Sequence, residues 1–286
     1  MNDLKRKPPW LKVKLPCGSD FNHVKGILSS LRLHSVCQEA RCPNMTECFS
    51  AGTATFLILG NICTRNCRYC NVQYGTPEKV DESEPERLVR AVKELGLTYI
   101  VITSVTRDDL PDGGADIFAR SIERLHEEIG SCKVEVLIPD LMGNGDALEC
   151  IMEASPHVIN HNMEIVASLF KVLRPQGDYR RSLELLKRAF EYGKERFSTK
   201  SGFMVGCGEK WDDIGALLHD LASVHCEGVT VGQYQQPTKN HWPVMKYYTP
   251  AEFEAIRDMA YDLGLKYVTA GPLVRSSYQA AKMMSL

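Results

Sequence analysis

The chain has 286 residues, with 34 Lys and Arg against 36 Asp and Glu, which gives a formal charge of -2. This near balance argues against a general nucleic-acid-binding surface. A chain of this length buries roughly three quarters of its surface on folding, so its core needs no disulfides and the 11 cysteines must have another purpose.

The N-terminal region contains a basic cluster, Lys5, Arg6 and Lys7, but Pro8 and Pro9 follow it where a secretory signal carries an apolar run. No segment approaches the about 20 consecutive apolar residues of a membrane helix. We therefore expect a cytoplasmic protein without a membrane partner. In a reducing compartment, clustered cysteines are typical of metal ligands or catalytic groups rather than of disulfides.

From residue 55 onward, short β-rich runs alternate with segments of helical periodicity, which is typical of βα units around a parallel sheet. Strands are predicted at residues 55–59, 99–103, 134–138, 158–160, 202–205, 229–231 and 267–269. Helices are predicted at residues 85–95, 115–129, 146–154, 164–173, 180–192, 212–224 and 251–263. The last predicted helix has the clearest start and stop signals, because Thr249, Pro250 and Glu252 form a capping signal and Gly264 follows its end.

The fold class follows from this alternation. Six or seven βα repeats without a dinucleotide glycine fingerprint favour an α/β fold, a partial TIM-type (β/α)6 barrel, over a doubly wound sheet. Residues 1–54 lack the alternation and carry several prolines, so we interpret them as an irregular, cysteine-bearing N-terminal extension. Residues 55–286 then form the barrel domain with a C-terminal extension.

The most informative motif is the octet Cys63-Thr-Arg-Asn-Cys67-Arg-Tyr-Cys70, directly after the first predicted strand. Three thiolates in one loop can bind an iron–sulfur cube and leave its fourth iron open for another ligand. Zinc is the competing metal, but a structural zinc site normally has four protein ligands, and no nearby His or Cys supplies the fourth.

A second triplet, Cys37, Cys42 and Cys48, has four and five residues between successive thiols. This loop spacing again suits a cluster. A zinc knuckle or a redox dithiol remains an alternative from the spacing alone.

These motifs together resemble the lipoyl synthase family of radical S-adenosylmethionine enzymes, from Lys7-Pro-Pro-Trp-Leu to Arg275-Ser-Ser-Tyr278. The paired triplets and the Arg-Ser-Ser-Tyr motif are specific, because other members of the superfamily share only the C-x3-C-x2-C triplet. Further matching stretches lie at or just beyond the carboxyl ends of predicted strands, where a barrel has its active site. They are residues 107–114, 160–162, 199–202 and 232–234.

The resemblance implies two 4Fe-4S clusters and S-adenosylmethionine. Cys63, Cys67 and Cys70 are then the catalytic triplet, whose cluster binds S-adenosylmethionine through the open iron and delivers the electron that cleaves it. The resulting radical abstracts hydrogen from an unactivated carbon, which no side chain does unaided. Cys37, Cys42 and Cys48 hold an auxiliary cluster that supplies the inserted sulfur.

Three further residues receive roles from the same resemblance. A serine of the Arg-Ser-Ser-Tyr motif is the fourth ligand of the auxiliary cluster, and we favour Ser277 over Ser276, although no sequence argument excludes the neighbour. Asn162 and Glu164 bind the ribose hydroxyls of S-adenosylmethionine, with capping of the helix at 164–173 as the alternative. The role of Arg275 stays open.

An acidic loop follows the second predicted strand and contains Asp108, Asp109 and Asp112 before Gly113 and Gly114. In the superfamily this loop approaches the methionine part of S-adenosylmethionine. The start of the helix near residue 115 is an equally good explanation for the three carboxylates.

The function implied is insertion of two sulfur atoms at C6 and C8 of an octanoyl chain that is amide-linked to a carrier lysine. The implied partners are octanoylated lipoyl carrier domains or the H protein, an electron donor such as ferredoxin or flavodoxin, and an iron–sulfur carrier protein. The competing hypotheses are another radical sulfur transferase or methylthiotransferase, and an iron–sulfur electron carrier. Nucleic acid is not an expected partner, because the charge is near neutral and no RNA-binding domain is appended.

Overall fold

The alternation predicted from residue 55 onward is present in the computed structural model, which describes residues 6–13, 19–50, 54–194 and 196–283. The strands are β1 (His34–Ser35), β2 (Thr55–Ile58), β3 (Ile62–Cys63), β4 (Gln73–Tyr74), β5 (Tyr99–Ser104), β6 (Lys133–Leu137), β7 (Val158–Asn160), β8 (Ser198–Val205), β9 (Gly228–Gln233) and β10 (Tyr267–Gly271). The helices are α1 (Ser19–Ser30), α2 (Val36–Glu39), α3 (Met45–Ser50), α4 (Glu84–Leu95), α5 (Ala115–Glu128), α6 (Gly145–Glu153), α7 (Ala167–Leu173), α8 (Tyr179–Gly193), α9 (Trp211–Ser223), α10 (Pro250–Asp262) and α11 (Ala280–Met283).

Within these described ranges, eight strands form one sheet in the order β1-β2-β5-β6-β7-β8-β9-β10. Adjacent strands of this sheet from β2 to β10 are parallel and occur in chain order, whereas β1 runs antiparallel to β2. The strands β3 and β4 pair with each other in a separate sheet. Among the described residues β10 pairs only with β9, so the sheet stays open. The predicted α/β fold with a partial barrel is therefore confirmed, and its active site is expected at the carboxyl ends of the parallel strands.

Local signals explain why the outer helices begin where they do. In α10, Thr249 Oγ1 accepts a hydrogen bond from Glu252 N at 3.3 Å, and the Glu252 carboxylate accepts one from Thr249 N at 2.8 Å. This is the capping box that the sequence predicts, with Pro250 in the first turn. In the described part of the chain, no helix has both the length and the apolar character needed to cross a membrane.

Residues 19–50 are more regular than the sequence suggests. Helix α1 buries Val24, Ile27 and Leu28, a helical spacing, in the core shared by β2, α4 and α5, and Leu31 directly after the helix joins them. The strand β1 has two residues and the helix α2 has four, which is too short for a periodic pattern to reveal them. The pairing of β1 with β2 joins the loop of the second cysteine triplet to the edge of the barrel sheet.

Candidate active site

Cys63 is the last residue of β3, Cys67 and Cys70 lie in the loop that follows it, and all three line one cavity of about 180 Å³. Hydrogen bonds join this segment to the loops after β5 and β9 and to the end of α7. The contacts are Thr64 N to Thr106 O at 3.0 Å, Arg68 N to Leu173 O at 2.9 Å, and the His241 ring Nε2 to Cys70 O at 2.9 Å. These backbone contacts therefore hold the three thiols around a shared space.

The cysteines of this triplet are partly buried and form no disulfide. Burial raises the pKa of Cys70 to about 12, and burial also raises the pKa of Cys67. Metal binding must therefore displace the protons of these thiols, as it does in thiolate sites generally. In the described part of the chain, no group of three or more His, Cys, Asp or Glu side chains is arranged to hold a single metal ion.

A buried ionic network fixes Arg65, which lies between Cys63 and Cys67. The Arg65 guanidinium donates to the Asp108 carboxylate at 2.7 and 2.8 Å and to Asp140 Oδ1 at 2.6 Å. Arg181 of α8 donates to the other Asp140 oxygen at 3.0 Å. Burial opposes ionisation of Asp140, yet the hydrogen bond and charge of Arg65 lower its pKa to about 2. Carboxylates that follow β5 and β6 therefore hold the loop of the first cysteine triplet in place through Arg65.

The same cavity suits a polar ligand beside the cluster. Four of its lining side chains carry a buried polar atom without a hydrogen-bond partner: Arg65 Nη1, Ser104 Oγ, His161 Nε2 and Asn162 Oδ1. The His161 ring contacts Ile138 O through Nδ1 at 2.8 Å, and burial lowers its pKa to about 4, so the neutral ring has its Nε2 free as an acceptor. S-adenosylmethionine, with amino, carboxylate and hydroxyl groups, matches these mixed donors and acceptors.

Asn162 and Glu164 lie together beyond β7, but not as part of a helix. Asn162 Nδ2 donates to Glu164 Oε1 at 2.9 Å, and burial raises the pKa of Glu164. The predicted helix start at residue 164 is wrong, because Glu164 has a φ of 66° and bridges to Phe203, so α7 begins only at Ala167. The capping alternative for Asn162 is thereby excluded. A non-glycine residue held at positive φ is characteristic of functional sites.

The second triplet forms a separate site at the sheet edge. Cys37, Cys42 and Cys48 line a cavity of about 110 Å³ together with Ser277. The hydrogen bond between Cys37 and Cys42 raises the pKa of Cys37 and lowers that of Cys42. Burial raises the pKa of Cys48 to about 11. Three thiols and one hydroxyl are a donor set that fits a four-iron cluster.

The C-terminal segment completes this second site from across the fold. Asn44 Nδ2 donates to Leu273 O at 2.6 Å, and Thr55 Oγ1 donates to Ser277 Oγ at 2.8 Å. Ser276 Oγ instead accepts from Asn162 Nδ2 at 3.2 Å. The two adjacent serines therefore have different surroundings: Ser277 lies among the second triplet and Ser276 beside Asn162.

Residues of both triplets line a larger chamber of about 360 Å³. They are Cys37 and Cys42 of the second triplet and Cys70 of the first. Its other lining side chains include apolar and aromatic groups, among them Val36, Val72, Leu137, Phe203, Met204, Tyr234 and Val274. Asn162, Glu164 and Arg275 also line it, so the sequence-predicted residues of both sites meet at one space.

The three carboxylates of the acidic loop have different partners. Asp108 pairs with Arg65, and Asp109 pairs with the buried Arg107 at 2.8 Å. Asp112 accepts from Gly114 N at 3.0 Å and from Asp116 N at 2.9 Å, which supports the start of α5. The helix-start explanation therefore holds for Asp112.

Sequence reasoning missed several residues of the site. Asp140 and Arg174 lie shortly after predicted elements but carry no motif of their own, and His161 lies in the matching stretch 160–162 without a role assigned to it. Arg174 is buried, and its Nη1 donates to Asn162 O at 3.1 Å. For Asp140, the position after the carboxyl end of a strand was the only available signal.

Comparisons with known proteins cover nearly the whole chain. A family model described as the Radical SAM superfamily matches residues 57–221, and one described as the N-terminal domain of lipoyl synthase matches residues 2–42. A lipoyl synthase from Caldanaerobacter subterraneus subsp. tengcongensis is 49% identical over 281 residues, 98% of each chain. A lipoyl synthase from Roseiflexus sp. strain RS-1 is 50% identical over 275 residues, 96% of this chain and 91% of the relative.

Solved structures agree on the fold. The FeFe-hydrogenase maturase HydG from Carboxydothermus hydrogenoformans superposes with a TM-score of 0.55 at 14% identity, covering 92% of this chain and 78% of that chain. At this identity the likeness concerns the fold alone.

Proposed function

Because this chain belongs to the lipoyl synthase family of the radical S-adenosylmethionine superfamily, we propose that it inserts two sulfur atoms at C6 and C8 of a protein-bound octanoyl-lysine. The observation that carries the proposal is the chamber lined by residues of both cysteine triplets. A saturated carbon held there has a radical source on one side and a sulfur source on the other.

The first cluster has Cys63, Cys67 and Cys70 as its ligands, and the polar cavity beside them takes S-adenosylmethionine. When bound, this pair supplies a radical that removes hydrogen from an unactivated carbon. The side chains of the protein orient the cofactor. Asn162 and Glu164 are suited to the ribose hydroxyls, since a carboxylate accepts and an amide both donates and accepts. The Arg65 network keeps the ligand loop in place.

The second cluster has Cys37, Cys42, Cys48 and Ser277 as its ligands and is a source of sulfur consumed by the reaction. The common cavity of these four side chains supports this assignment, and it favours Ser277 over Ser276. A hydroxyl is a less usual ligand than a thiolate, so Ser277 would hold its iron less firmly than the three cysteines would hold theirs. Residues 1–54 then provide the auxiliary triplet, and residues 55–286 provide the barrel domain and this serine.

The substrate is the octanoylated lysine of a lipoyl carrier domain or of the H protein. The apolar lining of the chamber supports an acyl chain, because burying its methylene groups is favourable by about 0.8 kcal/mol each. The protein contributes exclusion of water from the reacting carbons. An electron donor such as ferredoxin or flavodoxin and an iron–sulfur carrier protein complete the cycle. Clustered cysteines of this spacing are typical of metal ligands in a reducing compartment, so we assign the protein to the cytoplasm.

The test is an anaerobic reaction of the reconstituted protein with reductant, S-adenosylmethionine and an octanoyl-lysyl peptide. Peptide mass and 5'-deoxyadenosine are followed together. We expect deoxyadenosine and a two-sulfur gain on the peptide. Cys67→Ala is expected to abolish both products, whereas Cys42→Ala is expected to keep deoxyadenosine and abolish sulfur gain.

Two outcomes would contradict the proposal. Deoxyadenosine without sulfur gain in the unaltered protein would point to a radical enzyme with another substrate. Equal loss of both products in the Cys42→Ala variant would refute the separate tasks of the two clusters. Cys132→Ala is the matched control, because this buried thiol lies in neither triplet.

A further inference from the structure

The side-chain amide of Asn162 is held through both hydrogens of its nitrogen. Asn162 Nδ2 donates to Glu164 Oε1 at 2.9 Å and to Ser276 Oγ at 3.2 Å. Because both N–H donors have acceptors, the plane of the amide is fixed and Oδ1 is left as its free polar atom. This oxygen is buried and has no hydrogen-bond partner in the described part of the chain.

The free oxygen of Asn162 is available to a ligand of the first cysteine site. Asn162 lines both the cavity of the first triplet and the larger chamber. A Cβ on Gly202 would lie 2.9 Å from Asn162 Oδ1, so the oxygen lies close to the backbone of β8 where a glycine leaves room for it. A buried acceptor without a partner costs free energy until a donor reaches it, and a ribose hydroxyl is such a donor.

Ser276 belongs to a segment that the second cysteine site holds. Asn44 lies between two cysteines of the second triplet, and its Nδ2 donates to Leu273 O at 2.6 Å. On the other side of Ser276, Thr55 Oγ1 donates to Ser277 Oγ at 2.8 Å. Contacts before and after Ser276 therefore set the position of its hydroxyl from the second site.

We propose that Ser276 is a positioning residue for S-adenosylmethionine, because its hydroxyl holds the Asn162 amide with Oδ1 directed to a ribose hydroxyl. This inference rests on the proposed function, in which Asn162 binds the ribose. Through the same hydroxyl, the affinity for S-adenosylmethionine depends on the segment that completes the second cysteine site. Such a coupling is reciprocal, so bound S-adenosylmethionine in turn stabilises the position of the segment that carries Ser277.

The test measures the dissociation constant of S-adenosylmethionine in a titration of the reconstituted protein. Ser276→Ala removes the hydroxyl. Ser121→Ala is the matched control, because this buried hydroxyl lies in α5 and donates to Ile117 O at 2.7 Å. The second ligand is an analogue of S-adenosylmethionine that has hydrogen in place of both ribose hydroxyls. Iron per chain reports whether the clusters are loaded.

We expect Ser276→Ala to bind S-adenosylmethionine about fivefold more weakly than the control, as for one lost hydrogen bond, with unchanged iron. The two variants should bind the analogue equally. In an Asn162→Ala background, Ser276→Ala should have no further effect. Equal binding of S-adenosylmethionine by the two variants would overturn the proposal. A loss that persists with the analogue would also overturn it, because the hydroxyl would then act on the fold and not on the ribose.

The dependence on the second site is tested with Asn44→Ala, which removes the hydrogen bond to Leu273 O. We expect this variant to bind S-adenosylmethionine about threefold more weakly, and the double variant with Ser276→Ala to bind it no more weakly than Ser276→Ala alone. Additive effects of the two substitutions would refute the coupling. Absence of sulfur product from the unaltered protein would refute the proposed function, while the binding measurements would still decide the role of Ser276.

Discussion

Gly232 lies on β9 directly beneath the C-terminal segment, and its replacement by Ala tests how that segment is held. A Cβ at this position would lie 2.0 Å from Val274 O and 3.1 Å from Arg275 Nη1. An ordinary contact begins at 3.4 Å, so the Val274 carbonyl would have to move by about 1.4 Å. The nearest obstacle is backbone, which cannot rotate away as a side chain can.

The consequence reaches the second cysteine site, because Ser277 follows Val274 in the same segment. We expect Gly232→Ala to lower the free energy of unfolding by about 1–3 kcal/mol, the usual cost of overpacking. We also expect it to reduce auxiliary-cluster loading and sulfur insertion while deoxyadenosine formation persists. Iron per chain, the spectrum of each cluster and both reaction products measure this.

The matched control is Gly228→Ala on the same strand, where the nearest atom is the flexible end of Met283 at 3.1 Å. The control should keep both clusters. Full auxiliary-cluster loading in Gly232→Ala would refute the reasoning, since it would show that the segment shifts without disturbing Ser277.

Three further predictions concern other parts of the fold. Burial raises the pKa of Glu84 from 4.5 to about 7, so the folded chain binds this proton more tightly than the unfolded chain. The free energy of unfolding should therefore fall by about 3 kcal/mol as the pH rises through that interval. Urea unfolding at pH 5 and pH 8 should show that Glu84→Gln removes this slope, whereas the exposed Glu94→Gln keeps it. Asp140→Asn removes the buried carboxylate beside Arg65, which keeps Asp108 as its charged partner, and should lower the free energy of unfolding by about 2 kcal/mol. An unchanged melting curve would show that Asp140 does not stabilise the loop through its charge. Ser277→Ala should lower the iron content at the auxiliary site. Ser276→Ala should keep the iron and weaken the binding of S-adenosylmethionine in a titration. The reverse pattern would show that the roles assigned to the two serines are exchanged.

Much of the fold could be predicted because its signals are local. The α10 capping box and the apolar periodicity of the outer helices can each be recognised within about a dozen consecutive residues. The start of α7 was not readable, because the φ of 66° at Glu164 is imposed by hydrogen bonds to Gly202 and Met204 of another strand. A helical pattern in the sequence contains no information on such a neighbour.

The same contrast between local signals and contacts of distant residues applies to the candidate site. The first cysteine triplet is compact in sequence, so its shared loop was predictable. The Arg65 to Asp140 contact joins residues 75 positions apart, and only the topology of the sheet brings them together. Ser276 and Ser277 could not be distinguished from the sequence, because their segment has neither helix nor strand periodicity. Their different neighbours, Asn162 and Thr55, emerge only when the C-terminus folds back over β9.

The contact between Thr55 and Ser277 joins residues 222 positions apart and has a consequence for synthesis of the chain. On the ribosome, the three cysteines of the second triplet emerge long before the hydroxyl of Ser277 that lines the same cavity. A chain interrupted before residue 277 contains the first triplet with its loop, but it lacks the fourth polar side chain of the second site. The second site can therefore be assembled only after synthesis has passed residue 277, later than the first.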